Sequence, residues 1–312
     1  MENKSIQSYI QKRNVLSNLC NYLSEYSKIT ILVDSFVFDK IKDKLNLDSN
    51  CEIIFELKEH DCDCIVAIGG GKVMDQVKYY AYMHNIDSIL VPTSCATDAP
   101  CTDICIVDNQ IIQCGFSKKV LVDEEIVSMA PTRLLISGIA DALSTTFESN
   151  HFEQSVSINA LSNACLDTLL ENGIQAVKDQ KEGLISKALS KCIEAILYIS
   201  GTVVSNTNEG LTHALTFAFS KFVPQVLHGE LVAYFLLVQL CIENDQRIHV
   251  LKEFYENIGL PTHLNQIGLE DASDSDLEFI IQQCDKKLLS NMNYIVTCEE
   301  IIEAIRVVDA FE

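Results

Sequence analysis

Cys64-Ile65-Val66-Ala67-Ile68-Gly69-Gly70-Gly71-Lys72-Val73-Met74-Asp75 is the stretch that decides the fold. Cys64 to Ile68 is a short unbroken apolar run, the pattern of a strand buried on both faces. Three glycines end it. Val73, Val77 and Ala81 then recur at helical spacing as far as His84. Working outward, Ile29 to Val33, Cys51 to Phe55 and Ser88 to Val91 read as three more strands. Apolar strands alternating with helices predict a parallel sheet covered on both faces. One link breaks the rhythm. Glu56 to Asp63 joins the second and third strands with only eight residues, whereas a parallel crossover takes about a dozen or more. Either that crossover helix is missing or the two strands do not pair in the usual way.

Beyond Pro131 the pattern changes. Strand signals fade, and Leu134–Ser149, Ser157–Asn172, Leu184–Asn206, Gly210–Lys221, Gly229–Asn244 and Ile248–Ile258 carry helical periodicity. Pro131 and Thr132 suit a helix start. The expected architecture is an α/β nucleotide-binding domain over residues 1–130 and an all-helical domain over 131–312. At roughly 100–200 residues per domain, the length of 312 residues fits two.

Composition narrows the function. Hydrophobic residues make up 48%, which excludes a disordered chain. Lys and Arg total 23 against 44 Asp and Glu, a formal net charge of -21. With no Lys/Arg-rich run, nucleic acid is excluded as a partner, because its binding draws on clustered positive charge. The polar start, Met1 to Asn14, lacks a signal-peptide core. The most apolar stretch, Leu231 to Val238, is far shorter than the ~20 residues of a membrane span. A cytoplasmic protein is expected, with its 13 cysteines as free thiols. Their spacing holds no CxxC pair and no zinc-finger pattern.

Three segments hold chemistry. The glycine turn opens a helix, whose free N–H groups suit a diphosphate. It is neither GxGxxG nor a P-loop, and by itself it serves a structural role equally well. Val91-Pro92-Thr93-Ser94-Cys95-Ala96-Thr97-Asp98-Ala99-Pro100 starts at the C-terminal end of a strand, where parallel sheets bind ligands, although Thr, Asp and Pro also build ordinary turns. The third is a set of possible metal ligands: Asp141 among small and apolar neighbours, His213 inside an apolar helix, and His228 at the start of the next. Two His and a carboxylate leave an open position on a catalytic divalent ion; satisfied core residues would read the same way. His60, His84, His151, His249 and His263 read as surface.

Taken together, these segments resemble the glycerol dehydrogenase branch of the iron-containing alcohol dehydrogenase family. The resemblance rests on Gly69-Gly70-Gly71-Lys72 with Asp75, and on Pro92-Thr93 through Thr97-Asp98-Ala99-Pro100. It continues through Ala130-Pro131-Thr132-Arg133-Leu134-Leu135 into Gly138-Ile139-Ala140-Asp141-Ala142-Leu143, and through His228-Gly229-Glu230. It implies an active site between the two domains and oxidation of glycerol or a related small polyol or diol with NAD. It implies a divalent metal on Asp141, His213 and His228, zinc in glycerol dehydrogenases, with iron(II) suited to the same donors. Gly70, Gly71 and Lys72 would hold the diphosphate, Asp75 would be a further cofactor-binding residue, and Asp34 would lie near the adenosine. Thr93 and Thr97 would touch the cofactor, and Thr102, Ile104 and Asp108 would line its nicotinamide side. Asp98 would approach the substrate hydroxyls. A homo-oligomer without membrane partners is expected.

The chain also departs from the family. Thr216 and Phe217 stand where a further His is common, Ala96 replaces a Ser, Asp108 replaces a Tyr, and the helical domain is short. The other readings are a non-catalytic relative that binds nucleotide or metal, and an sn-glycerol-1-phosphate dehydrogenase. The latter needs cations for its phosphate, and only Lys221 is near the triad in sequence.

Overall fold

The computed structural model describes residues 3–108 and 110–311. Six strands form one parallel sheet in the order β1-β8-β5-β4-β2-β3: β1 Tyr9–Lys12, β2 Ile29–Val33, β3 Cys51–Ile54, β4 Cys64–Gly69, β5 Asp87–Pro92 and β8 Lys119–Asp123. β6 (Ile104–Val107) and β7 (Gln110–Gln113) form a separate antiparallel pair. Helices α1 (Leu19–Leu23), α2 (Ser35–Ile41) and α3 (Gly71–His84) pack with the sheet, and α4 (Glu124–Ser128) follows it. The rest is helical: α5 Thr132–Ser149, α6 Val156–Lys181, α7 Lys187–Glu194, α8 Gly201–Val204, α9 Leu211–Phe219, α10 His228–Ile242, α11 Arg247–Ile258, α12 Asp274–Ile281, α13 Lys286–Ser290 and α14 Cys298–Asp309. This is the α/β domain followed by a helical domain that the sequence predicts.

Strand alternation sets how the halves meet. Successive side chains point to opposite faces of a sheet. Ile31, Val66, Ile68, Ile89, Val91 and Leu121 join one core with Leu16, Leu19 and Leu23. Leu32, Ile65, Ala67, Leu90, Val120 and Val122 face the other way, into a core that runs on through Leu135, Ile139 and Leu143 of α5. The helical half therefore shares a core with one face of the sheet.

The short Glu56–Asp63 link has a simple resolution. β3 and β4 do not pair; each lies parallel to β2, on opposite sides of it. The chain goes outward to β3 and returns past β2 without a covering helix, which leaves Phe55 exposed. The sequence reading missed β1, the β6–β7 hairpin and β8. β1 and β7 are short and half polar, so their periodicity is weak; β6, Ile104-Cys105-Ile106-Val107, and β8, with its Val120-Leu121-Val122, are apolar but short. The helix expected over Leu184–Asn206 begins at Lys187 and contains a π-helical turn, Ala195–Ser200, between α7 and α8. α12, α13 and α14 were also unread. All 13 cysteines are free, and seven of them are buried. No described helix is long and apolar enough to cross a membrane.

Candidate metal centre and nucleotide cleft

Parallel pairing brings the two N-terminal motifs together. Gly69 and Pro92 are register partners at the ends of β4 and β5, and the Thr93 N–H donates to the Gly69 carbonyl at 3.0 Å. The glycine turn and the Thr93–Asp98 loop thus sit side by side at the carboxyl ends of the strands. Between β2 and β4 the chain changes direction across the sheet, the place where open α/β sheets hold ligands.

Two glycines bring the helical half up to this edge. A Cβ on Gly138 of α5 would stand 1.8 Å from the Cys95 carbonyl oxygen. Only a glycine lets α5 approach the loop so closely, and three residues further on α5 carries Asp141. A Cβ on Gly229 would stand 2.0 Å from the Ser137 carbonyl oxygen, so α10 starts directly on α5 with His228 at its first position. Arg133 clamps the same junction with two 2.6 Å hydrogen bonds to Glu230. The Glu230 carboxylate also accepts from the Leu227 N–H at 2.9 Å.

The three expected ligands converge. Asp141 Oδ1 lies 3.2 Å from His228 Nε2 and 3.6 Å from His213 Nε2, and one donor atom from each residue falls within 4.8 Å of the others. Donors bonded to one zinc at about 2.0–2.2 Å stand some 3–4 Å apart, so the set fits a divalent cation. Asp141 and His213 are buried, whereas His228 opens onto the cleft. Burial pushes the Asp141 carboxyl up, but the imidazoles of His228 and His213 outweigh it and hold the group well below the carboxylate range.

Glu148 was missed from sequence. Its Oε2 lies 2.5 Å from His213 Nδ1, and its Oε1 accepts from the Thr212 N–H at 2.8 Å. This fixes the ring with Nε2 toward Asp141, the arrangement by which a carboxylate orients a metal-bound histidine. The signal was present: Glu148 follows Asp141 by seven residues, two turns along one face of α5. Glu209 was also missed. It precedes α9, and its Oε1 lies 3.8 Å from His213 Nε2. Burial lowers the affinity of His213 for a proton, but Glu209, Glu148 and Asp141 more than reverse this and hold it well above the imidazole range.

A cleft of about 400 Å³ runs from the triad to the glycine turn. Gly71, Lys72, Asp75, Thr97, Asp98, Thr102 and Ile104 line it together with Asp141, His213 and His228. Asp98 is half-buried and accepts from the Ser200 hydroxyl at 2.8 Å, a contact made by the π-helical turn. Burial and the neighbouring Asp141 charge raise the Asp98 carboxyl to about 7. Burial raises Asp75 to about 6, against the pull of Lys78. Lys78 is buried beneath the turn and donates to the Ala99 carbonyl at 2.8 Å and the Thr102 hydroxyl at 3.0 Å. Asp34, Gly70, Thr93 and Asp108 do not line this cleft. Asp34 caps α2 by accepting from the Phe36 N–H at 2.9 Å, and Asp108 follows β6 in a turn with φ at +49°. Thr216 is buried, and Phe217 packs its ring against His213 and His228. A roomier polar groove of about 550 Å³ lies at the other end of β5, around Asp87 and Ser88, and holds none of the triad.

Two expectations are corrected. His151 is not a surface residue: it is largely buried between Glu243 at 3.0 Å and Asn293 at 3.1 Å. Lys221 is exposed and outside the cleft, whose one Lys or Arg among the described lining residues is Lys72.

Residues 33–130 match the family model for iron-containing alcohol dehydrogenase. Glycerol dehydrogenase from Thermotoga maritima is 32% identical over 98% of this chain and 88% of its own. The chain belongs to the iron-containing alcohol dehydrogenase family, in its glycerol dehydrogenase branch. The structure of a probable glycerol dehydrogenase from Sinorhizobium meliloti superimposes on this family member with a TM-score of 0.91 at 26% identity, covering 99% of this chain and 98% of that one. Sulfoacetaldehyde reductase from Bifidobacterium kashiwanohense, solved in complex with NAD+, shares the fold with a TM-score of 0.82 at 15% identity, covering 100% of this chain and 99% of that one. The Thr216 hydroxyl on α9 is buried and has no hydrogen-bond partner among the described residues.

Proposed function

We propose that the protein oxidises glycerol or a related small polyol or diol with NAD, in the cleft between an α/β part, 1–130, and a helical part, 131–312. The observation that carries this is the Asp141–His213–His228 group facing the glycine turn across one cleft. Asp141, His213 and His228 would hold the cation, zinc in our reading and iron(II) as the other suitable metal. When bound, the cation supplies Lewis acidity toward the substrate oxygen and the nicotinamide supplies the hydride acceptor.

The chain's own residues do the rest. Glu148 orients His213. Gly70, Gly71 and Lys72 take the diphosphate, with Asp75 elsewhere along the cofactor and Asp34 toward the adenosine. Thr97 contacts the cofactor, while Thr102 and Ile104 flank the nicotinamide. Asp98, held by Ser200, stands toward the substrate hydroxyls. Ile104, Val204 and Phe217 give the cleft apolar walls that exclude water. We expect a cytoplasmic homo-oligomer. The test is an assay of zinc-loaded protein with NAD and glycerol or 1,2-propanediol. NADH formation is expected; its absence with every small diol, with zinc confirmed bound, overturns the reading.

A further inference from the structure

We propose that Glu209 is a specificity-determining residue. Its carboxylate accepts a hydrogen bond from the hydroxyl next to the one being oxidised, so the site selects neutral vicinal diols over monohydric alcohols and over substrates with an acidic group at that position. The proposal rests on the dehydrogenase reading above and adds the residue that chooses the substrate.

Glu209 lines the cleft beside the triad, and its Oε1 stands 3.8 Å from the same His213 Nε2 that lies 3.6 Å from Asp141. It flanks the donor set but falls outside the compact group of ligand atoms. Among the described residues, no hydrogen bond ends on its carboxylate, whereas the other two carboxylates that flank the triad are engaged: Asp98 by Ser200, and Glu148 by His213 and Thr212. A cleft carboxylate with free acceptor oxygens next to a cation site is placed for a ligand hydroxyl. Its position is fixed from behind. The Glu209 carbonyl accepts from Asn291 Nδ2 at 2.8 Å. The next residue, Gly210, is wedged so that a Cβ would meet Met292 Sδ at 2.5 Å and Glu148 Oε1 at 3.1 Å.

Charge completes the argument. At the triad end the lining carboxyl groups are Asp98, Asp141 and Glu209, and the one Lys or Arg among the described lining residues, Lys72, is on the glycine turn. A phosphate or carboxylate beside the reacting carbon would meet acids with no guanidinium or ammonium to receive it. A neutral hydroxyl satisfies Glu209 instead.

The experiment compares wild type, Glu209→Gln and Glu209→Ala, all loaded with zinc and NAD. Probes are 1,2-propanediol, 1-propanol and glycerol 1-phosphate, with zinc content and glycerol calorimetry measured in parallel. In Glu209→Ala the preference for 1,2-propanediol over 1-propanol is expected to fall about tenfold, the scale of one charge-assisted hydrogen bond. Glycerol binding weakens with it, and zinc content is unchanged. Glu209→Gln, which keeps an acceptor oxygen, retains part of the preference. Wild-type turnover of diols with an unchanged ratio in Glu209→Ala overturns the proposal alone. Loss of zinc from either variant also overturns it, because Glu209 would then be a ligand. Better wild-type use of glycerol 1-phosphate than of any neutral diol overturns it too. No turnover of any diol by wild type overturns the dehydrogenase reading as well.

Discussion

The two ends of the cleft are built differently. At the triad end, α5 is pressed against the Cys95 loop through Gly138 and against α10 through Gly229, tied by Arg133 and Glu230, and braced by a buried carboxylate on His213. At the glycine-turn end, Gly71, Lys72 and Asp75 lie in the first two turns of α3 and Thr97 on the loop after β5, and the return from the outer strand β3 to β4 has no covering helix. On the proposed function, the contrast follows from what each end would hold. A cation needs donor atoms fixed to a fraction of an ångström, and only packed elements supply that. A diphosphate needs exposed backbone N–H groups, which a helix start supplies with few tertiary supports.

The sharpest way to break this comparison is Asp141→Asn. Metal content measured by elemental analysis should fall to background, and NAD-dependent turnover with it; full metal occupancy would show that the triad end is not a metal site. Next comes Glu148→Gln, which leaves all three ligands in place. Zinc affinity, measured by competition with a chelator, should drop by about 10–100-fold, the usual effect of losing such a partner. An unchanged affinity would mean that the bracing is incidental. At the other end, Gly70→Ala tests the turn cleanly, since a Cβ there meets nothing within 4 Å and φ is -88°. Thermal stability should hold, while KM for NAD rises by about tenfold, or ~1.4 kcal/mol, if the backbone approaches a diphosphate. An equal KM would place the cofactor elsewhere.

The smallest effect concerns pH. The hydrogen bond to Glu243 raises the pKa of His151 in the folded chain. A raised folded value favours the protonated form in the native state. Its stabilisation is therefore complete below the unfolded histidine value of about 6.5 and is lost as pH rises through the folded value. Chemical denaturation of wild type and His151→Gln should diverge below neutral pH and converge above it. Parallel curves would remove His151 from the polar support behind the triad.

Much of this was legible in the residues. The run Cys64–Ile68, the glycines and the helix to His84 are local patterns, and they fixed a strand, a turn and a helix within a residue or two. Asp141, His213 and His228 stood out because each is a polar side chain in apolar surroundings, which is costly unless satisfied. The residues that escaped are those whose role depends on a distant partner. Glu148 looks like an ordinary helix-end acid until α9 is placed over it, and His151 looks exposed until Glu243 and Asn293 close around it. The β1 strand, Tyr9–Lys12, has too little apolar periodicity to announce itself and exists because β8 pairs with it.

The sequence by itself determined the parallel α/β start, the turn to helices after Pro131 and the three ligand candidates. Only the tertiary structure decided that β3 and β4 flank β2 rather than pair, that Glu148 and Glu209 bear on His213, and which family-like residues share one cleft. The physical reason is range. Hydrophobic periodicity and turn chemistry act over a few residues and are written in order along the chain. A site is a set of distances between residues up to a hundred or more positions apart, and only packing sets those.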